Sequence, residues 1–216
     1  MSEAIRLKIT EIFHSLQGES TRVGLPTTFV RLTGCPLRCG YCDTAYAFHG
    51  GEWWTLPAIL RRVTELGARH VCVTGGEPLA QKSCLPLLTA LCDAGFSVSL
   101  ETSGAMAVDA VDLRVARIVD VKTPGSGEES RNLYPQLGTL NPHDQVKFVI
   151  CGRADYEWSL AKMRELDLAT RCEVLFSPSH EQVAASDLAD WILADRAPVR
   201  FQLQLHKILW GNAPGR

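Results

Sequence analysis

Short β-branched runs alternate with amphipathic stretches along most of this 216-residue chain. That alternation limits the fold more than any other feature. Residues 7–13, 27–32, 70–74, 97–101, 117–122, 145–151, 172–176 and 199–205 read as strands. Helices are expected between many of them. Thr55 caps the first, Pro57 sits in its first turn and Gly67 closes it. Residues 85–94 follow, stopped by Gly95, then 153–168, then 181–194 with Leu188, Trp191 and Ile192 on one apolar face. This order predicts an α/β fold on a mainly parallel sheet, wound by right-handed crossovers. Sites in such folds lie beyond the carboxyl ends of the strands. Four Gly-, Pro- and polar-rich connections leave those ends, at 33–47, 74–78, 102–104 and 123–144, and are expected to meet on one rim. No repeat or linker-like run divides the chain, so residues 1–216 are expected to form one domain.

Charge and hydropathy exclude other classes. The 22 Lys and Arg against 24 Asp and Glu leave a net charge of −2, unlike the basic footprint of a nucleic-acid binder. No run reaches the roughly 18 apolar residues of a membrane span. Met1 to Arg6 lacks a basic stretch followed by an apolar one, so no leader is expected. A cytoplasmic chain keeps its thiols reduced, which turns attention to the eight cysteines. Cys72, Cys84, Cys92, Cys151 and Cys172 are scattered and read as small core hydrophobes.

Cys35, Cys39 and Cys42 instead fall in one loop, Gly34-Cys35-Pro36-Leu37-Arg38-Cys39-Gly40-Tyr41-Cys42-Asp43-Thr44. Three thiolates on a short irregular loop can converge on a metal centre. A four-iron cluster held this way keeps one iron without a protein ligand, open to an exogenous chelator. Two other readings stay open on the residues alone: a structural zinc site adding His49, and three thiols that bind nothing.

The Cys-x3-Cys-x-aromatic-Cys pattern, with Tyr41 as the aromatic, resembles the radical S-adenosylmethionine superfamily. Val73-Thr74-Gly75-Gly76-Glu77-Pro78 resembles its Gly-Gly-Glu motif. The resemblance implies a partial (β/α) barrel and a [4Fe-4S] cluster on the three cysteines. It also implies S-adenosyl-L-methionine chelated to the fourth iron and cleaved to a 5′-deoxyadenosyl radical.

Further stretches narrow the resemblance. Ile12-Phe13-His14-Ser15-Leu16-Gln17-Gly18-Glu19 precedes the cluster loop, Phe29-Val30-Arg31-Leu32 leads into it, and Leu205-His206-Lys207-Ile208-Leu209-Trp210-Gly211-Asn212 stands near the end. Over about residues 9–212 the chain is similar to the 7-carboxy-7-deazaguanine synthases of queuosine precursor biosynthesis. That similarity implies a lyase acting on 6-carboxy-5,6,7,8-tetrahydropterin with loss of ammonia, Mg2+, a homodimer, and flavodoxin or ferredoxin as electron donor. It also implies roles. Leu16, Gln17, Gly18, Glu19, Arg31 and Thr74 would contact the pterin, Arg31 pairing with its carboxylate. Thr44 would ligate Mg2+. Tyr41, Cys42, Asp43, Gly76, Glu77, Ser103, Asp120, Val121 and Lys122 would line S-adenosylmethionine, with residues 176–179 nearby. The cluster motif has the ordinary three-residue first gap, and residues 120–127 depart from the Ser-Pro-Lys form commoner in the family.

Blander readings stand beside these. Leu16 to Glu19 is also an ordinary turn, Arg31 an outward strand residue, Lys122 a strand-end cap, and Glu101 the partner of a basic neighbour. His14 and His206 read as packing residues, while His70, His143 and His180 carry no signal. The tail 213–216 suits either closing over substrate or hanging free. Two rival functions remain: a glycyl-radical-enzyme activase and a non-catalytic Cys3His zinc module.

Overall fold

A computed structural model describes residues 5–213 and Gly215. The amino-terminal stretch read for a leader lies largely outside the described residues, as do Pro214 and Arg216 of the tail. The strands are β1 (Arg6–Leu16), β2 (Pro26–Leu32), β3 (Glu52–Thr55), β4 (His70–Gly75), β5 (Ser97–Ser103), β6 (Ala116–Val121), β7 (Gln145–Ile150), β8 (Glu173–Pro178) and β9 (Arg200–Phe201). The helices are α1 (Leu56–Leu66), α2 (Cys84–Asp93), α3 (Arg153–Glu165), α4 (Ala185–Ala194) and α5 (Leu205–Trp210). One sheet runs in the order β3-β1-β2-β4-β5-β6-β7-β8-β9. From β2 to β9 every pairing is parallel, as the alternation predicts.

Local chemistry sets the elements. Thr55 accepts the amide of Ala58 at the start of α1, and Gly67 ends that helix at φ 73°. Val30, Val73, Leu100, Val119, Val146 and Phe148 point to the helix side of their strands and are buried. Each such side chain is worth about 1.5–3 kcal/mol of hydrophobic stabilisation. By the two-residue period of a strand, Arg31, Thr74, Glu101, Asp120 and Lys147 face the concave side.

Several expectations are corrected. The first strand is not parallel: β1 and β2 form an antiparallel hairpin with Ser15 opposite Thr27. β3 adds a four-residue edge strand that its paired tryptophans did not signal. The β5-to-β6 and β6-to-β7 connections, for which the sequence named no helix, carry none; the long 123–144 connection winds through three 3-10 turns. α4 begins at Ala185 rather than 181. The apolar run at 199–205 yields only the two-residue β9, because Leu205 already opens α5.

The sheet curls without closing. The 17–25 segment of the first hairpin stands at the amino ends of the parallel strands and spans the gap. Ser20 donates its amide to Gln202 Oε1 at 2.6 Å, Thr21 to Gln145 Oε1 at 2.9 Å, and Arg22 Nη1 reaches the carbonyl of Ser97 at 3.3 Å. The amide of Leu205 bonds the carbonyl of Gly18 at 3.0 Å. The bonds to Gln202 and Leu205, just past β9, join the two sides without strand pairing, and those to Gln145 and Ser97 hold the segment under β7 and β5, giving a partial barrel. Among the described residues no helix is long and apolar enough to cross a membrane.

Candidate active site

The concave side of the sheet holds a cleft of about 600 Å3. Its upper wall is the cysteine loop, in which Cys35, Cys39 and Cys42 are free and all line the cleft. The 123–144 connection does not line it; it buttresses the loop from behind. Gly40 donates its amide to Ser126 at 3.0 Å and Arg38 donates its own to Glu128 Oε1 at 2.5 Å. The amide of Leu133 bonds the carbonyl of Gly104 at 2.7 Å, so that connection also ties the β5 end in place.

The Gly-Gly-Glu turn is pressed against the same loop. A Cβ on Gly76 would meet the carbonyl oxygen of Gly34 at 2.3 Å and Cys35 Cβ at 2.8 Å, so no side chain fits there. Gly76 lines the cleft, but Glu77 does not, contrary to the sequence expectation. Its carboxylate is buried and turned into the fold, where it accepts the hydroxyl of Thr102, the amide of Leu79 and both the amide and hydroxyl of Ser103. Val121 is likewise corrected. Its side chain packs in the apolar core, because its neighbours Asp120 and Lys122 take the cleft side of the strand. Of residues 176–179, only Ser179 reaches the cleft.

Leu16, Gln17, Gly18 and Glu19 also line the cleft, entering from the amino ends of the strands and forming its floor. Gly18 is needed there, since a Cβ would lie 2.3 Å from His206 Nδ1 on α5. Gln17 Nε2 donates to Glu101 Oε1 at 3.2 Å, and the Thr74 hydroxyl donates to Glu101 Oε2 at 3.2 Å. Glu101 is therefore no simple partner of a basic neighbour. Burial and the charge of Glu19 push its carboxyl up, against Lys147 and Arg31.

A chain of charges crosses the cleft. Lys147 Nζ stands 2.6 Å from Glu19 Oε2 and 3.2 Å from Asp120 Oδ2, and Lys122 Nζ stands 3.1 Å from Asp120 Oδ1. Burial opposes the charge on Lys147, but Glu19, Asp120 and Glu101 outweigh it and hold the ammonium well above its usual value. Burial likewise opposes ionisation of Asp120, yet Lys122 and Lys147 keep its carboxyl below the usual range. At the rim, the Thr44 hydroxyl donates to Asp43 Oδ1 at 2.7 Å. Desolvation works against the Asp43 carboxylate, but hydrogen bonds from His206 and Thr44 and the charge of Lys207 lower its pKa overall.

These residues fit the group that the cysteine pattern calls for. Three free thiols open to one cavity, a glycine stands where any side chain would displace Cys35, and the buried Tyr41 hydroxyl has no hydrogen-bond partner among the described residues. Burial pushes the Cys39 thiol up to about 11, so a bound cation is what would hold it as thiolate. His49 is exposed and does not line the cleft. Among the described residues no group of three or more His, Cys, Asp or Glu is arranged to hold a metal ion, which includes the proposed Cys3His set. A four-iron cluster is wider than one ion and takes its thiolates further apart.

Comparison with known proteins settles the family. A radical SAM superfamily model matches residues 29–167. The 7-carboxy-7-deazaguanine synthase of Chlorobaculum tepidum is 44% identical over 97% of both chains. This chain belongs to the 7-carboxy-7-deazaguanine synthase family. The synthase of Koribacter versatilis is 42% identical over 94% of this chain and 97% of its own. The crystal structure of QueE from Escherichia coli superposes with a TM-score of 0.78, at 27% identity, covering 93% of this chain and 95% of that one. Streptococcus suis SuiB shares the fold at 15% identity and a TM-score of 0.59, this chain covering 46% of it. Neither the activase nor the zinc-module alternative is favoured by these likenesses.

Several cleft residues had gone unassigned in the sequence: Lys147, Gln204, Lys207 and His180 all line it. For Lys147 a signal was present, since it alternates with Val146 and Phe148 on a strand whose apolar side is buried. Residues 205–212 entered only through the resemblance, which assigned Lys207 no role.

Proposed function

We propose that this chain converts 6-carboxy-5,6,7,8-tetrahydropterin into 7-carboxy-7-deazaguanine and ammonia, on the route to queuosine. Product and ammonia together equal the substrate, so the conversion needs no net oxidant. The observation that carries the reading is the meeting of the Leu16-to-Glu19 floor, Arg31 and the three cysteines in one cleft of a chain similar to the synthases from end to end. S-adenosylmethionine, bound with a four-iron cluster on Cys35, Cys39 and Cys42, would supply an adenosyl radical that takes hydrogen from C6 of the pterin.

The chain's own residues position and shield. Glu19 and Gln17 present acceptors and donors to the pterin's amino and amide edge, and Thr74 touches it from β4. Arg31 offers its guanidinium to the carboxylate, a bidentate match that lysine lacks. Gly76, Ser103, Asp120 and Lys122 line the cofactor side, with Tyr41 and Asp43 on the loop above. Thr44 supplies a hydroxyl oxygen to Mg2+, a hard cation that substrate and water would complete. We take the chain as one domain, a cytoplasmic homodimer reduced by flavodoxin or ferredoxin. The continuous sheet and the similarity to whole synthases support this.

The test is anaerobic reconstitution with iron and sulfide, followed by incubation with the carboxytetrahydropterin, S-adenosylmethionine, Mg2+ and a reductant. The reading expects 7-carboxy-7-deazaguanine by mass. An intact cluster with no such product would overturn it.

A further inference from the structure

Glu11 is a buried-side carboxylate with no role in the reading above, and its place depends on a defect in the sheet. Leu7 and Ile9 of β1 point into the apolar core. Strict alternation would send Glu11 the same way. Instead the β1–β2 register slips between Ile9 and Glu11: Ile9 lies opposite Leu32, and Glu11 opposite Arg31. One extra residue on β1 forms a bulge, and bulges re-aim the side chains that follow them. Glu11 and Phe13 are thereby turned to the side of Arg31, where Phe13 lines the cleft, while Ile12 packs against the core.

There Glu11 Oε1 accepts Arg31 Nε at 2.7 Å and the Tyr46 hydroxyl at 2.7 Å. The guanidinium carbon of Arg31 lies 5.7 Å from the centroid of the Phe13 ring and 5.8 Å from that of Tyr46. Phe13 is itself stacked on Phe29 at 5.0 Å. Binding through Nε fixes the plane of the fork, and among the described residues neither Nη is hydrogen-bonded. Both Nη groups are left without a partner there, on a side chain that lines the cleft.

We infer that Glu11, re-aimed by the bulge and braced by Tyr46, is a positioning residue that orients Arg31 so its two Nη groups meet the substrate carboxylate. This rests on the pterin reading above and deepens it. The role is geometric rather than one of net charge: Glu11 cancels the charge of Arg31 but fixes where its donors point.

The test compares equilibrium binding of the carboxytetrahydropterin with that of the same pterin lacking its carboxylate, on reconstituted protein without reductant. Wild type should prefer the carboxylated ligand, and Arg31→Ala should lose the preference. Glu11→Ala should cut it by about tenfold, the scale of one charge-assisted contact. Glu11→Gln keeps an acceptor oxygen for both donors and should retain most of the preference. Should Glu11→Ala fail to fold, judged by melting, Tyr46→Phe removes the brace alone and should cut the preference about threefold. If Glu11→Ala and Tyr46→Phe keep the wild-type preference while Arg31→Ala loses it, the inference fails and the pterin reading stands. If Glu11→Gln falls as far as Glu11→Ala, the role is electrostatic and the inference also fails. A wild type without preference overturns both.

Discussion

Lys147 on β7 and Glu19 beyond β1 are joined by a 2.6 Å ion pair on the concave side of an open sheet. The same ammonium reaches Asp120 at 3.2 Å, so one cation links the Leu16-to-Glu19 floor to the wall formed by β6. Removing it leaves Glu19 and Asp120 facing each other with Glu101 nearby, and an uncompensated buried charge costs about 3–5 kcal/mol. Lys147→Met should therefore lower the denaturation midpoint and weaken pterin and S-adenosylmethionine binding together. Calorimetry on the reconstituted variant checks both. Unchanged affinity for either ligand would show that the pair does not couple the two walls.

Contiguous motifs were legible in the sequence because their chemistry sits in adjacent residues. The cysteine loop, Gly75-Gly76-Glu77 and Leu16 to Glu19 needed only spacing and resemblance. Glu101 and Glu11 were not legible as site residues, and the alternation around Lys147 gave only its face, since each looks like the polar member of an alternating strand until the sheet curls. Glu11 is hidden further by its bulge, which reverses the face that parity predicts. Glu77 was read as facing S-adenosylmethionine; its carboxylate turns inward because the amide and hydroxyl of Ser103 meet it there. The antiparallel β1 and the helix at Leu205–Trp210 escaped for a related reason. The helix starts where the Leu205 amide meets the carbonyl of Gly18, a tertiary contact that local pattern does not contain.

Gly76 gives a prediction about the cluster. An alanine Cβ there would fall 2.3 Å from a backbone oxygen of the cysteine loop, so the loop must move. Gly76→Ala should fold but bind well under the full complement of iron after reconstitution. Iron and sulfide analysis reads this directly, and wild-type iron content would contradict it.

Glu77 should behave as a structural tie to the β5 end. Glu77→Ala leaves the buried amide and hydroxyl of Ser103 without their acceptor, at about 1–3 kcal/mol for each unsatisfied group. Denaturant unfolding should show that loss. A stability within experimental error of wild type would mean that water replaces the carboxylate.

Glu101 predicts a pH dependence. Its carboxyl is pushed up in the fold by burial and by Glu19, so the folded chain favours the protonated form relative to the unfolded one. Ionising it costs stability as pH rises from the unfolded value of about 4.3 toward the raised folded value, and the cost persists above that. Glu101→Gln cannot ionise. Its melting temperature relative to wild type should be higher at pH 7 than at pH 4. Equal differences at the two pH values would place the carboxyl at its ordinary value.

On the proposed function, the cleft delivers C6 of a carboxytetrahydropterin to a radical generated beside Cys35, Cys39 and Cys42, and S-adenosylmethionine is regenerated on each turnover. Substrate deuterated at C6, turned over anaerobically by the reconstituted protein, tests it most directly through the mass of recovered S-adenosylmethionine. Deuterium is expected in its adenosyl group together with formation of 7-carboxy-7-deazaguanine. Product formed with no deuterium in the cofactor, or cofactor cleaved with the substrate unchanged, would contradict it.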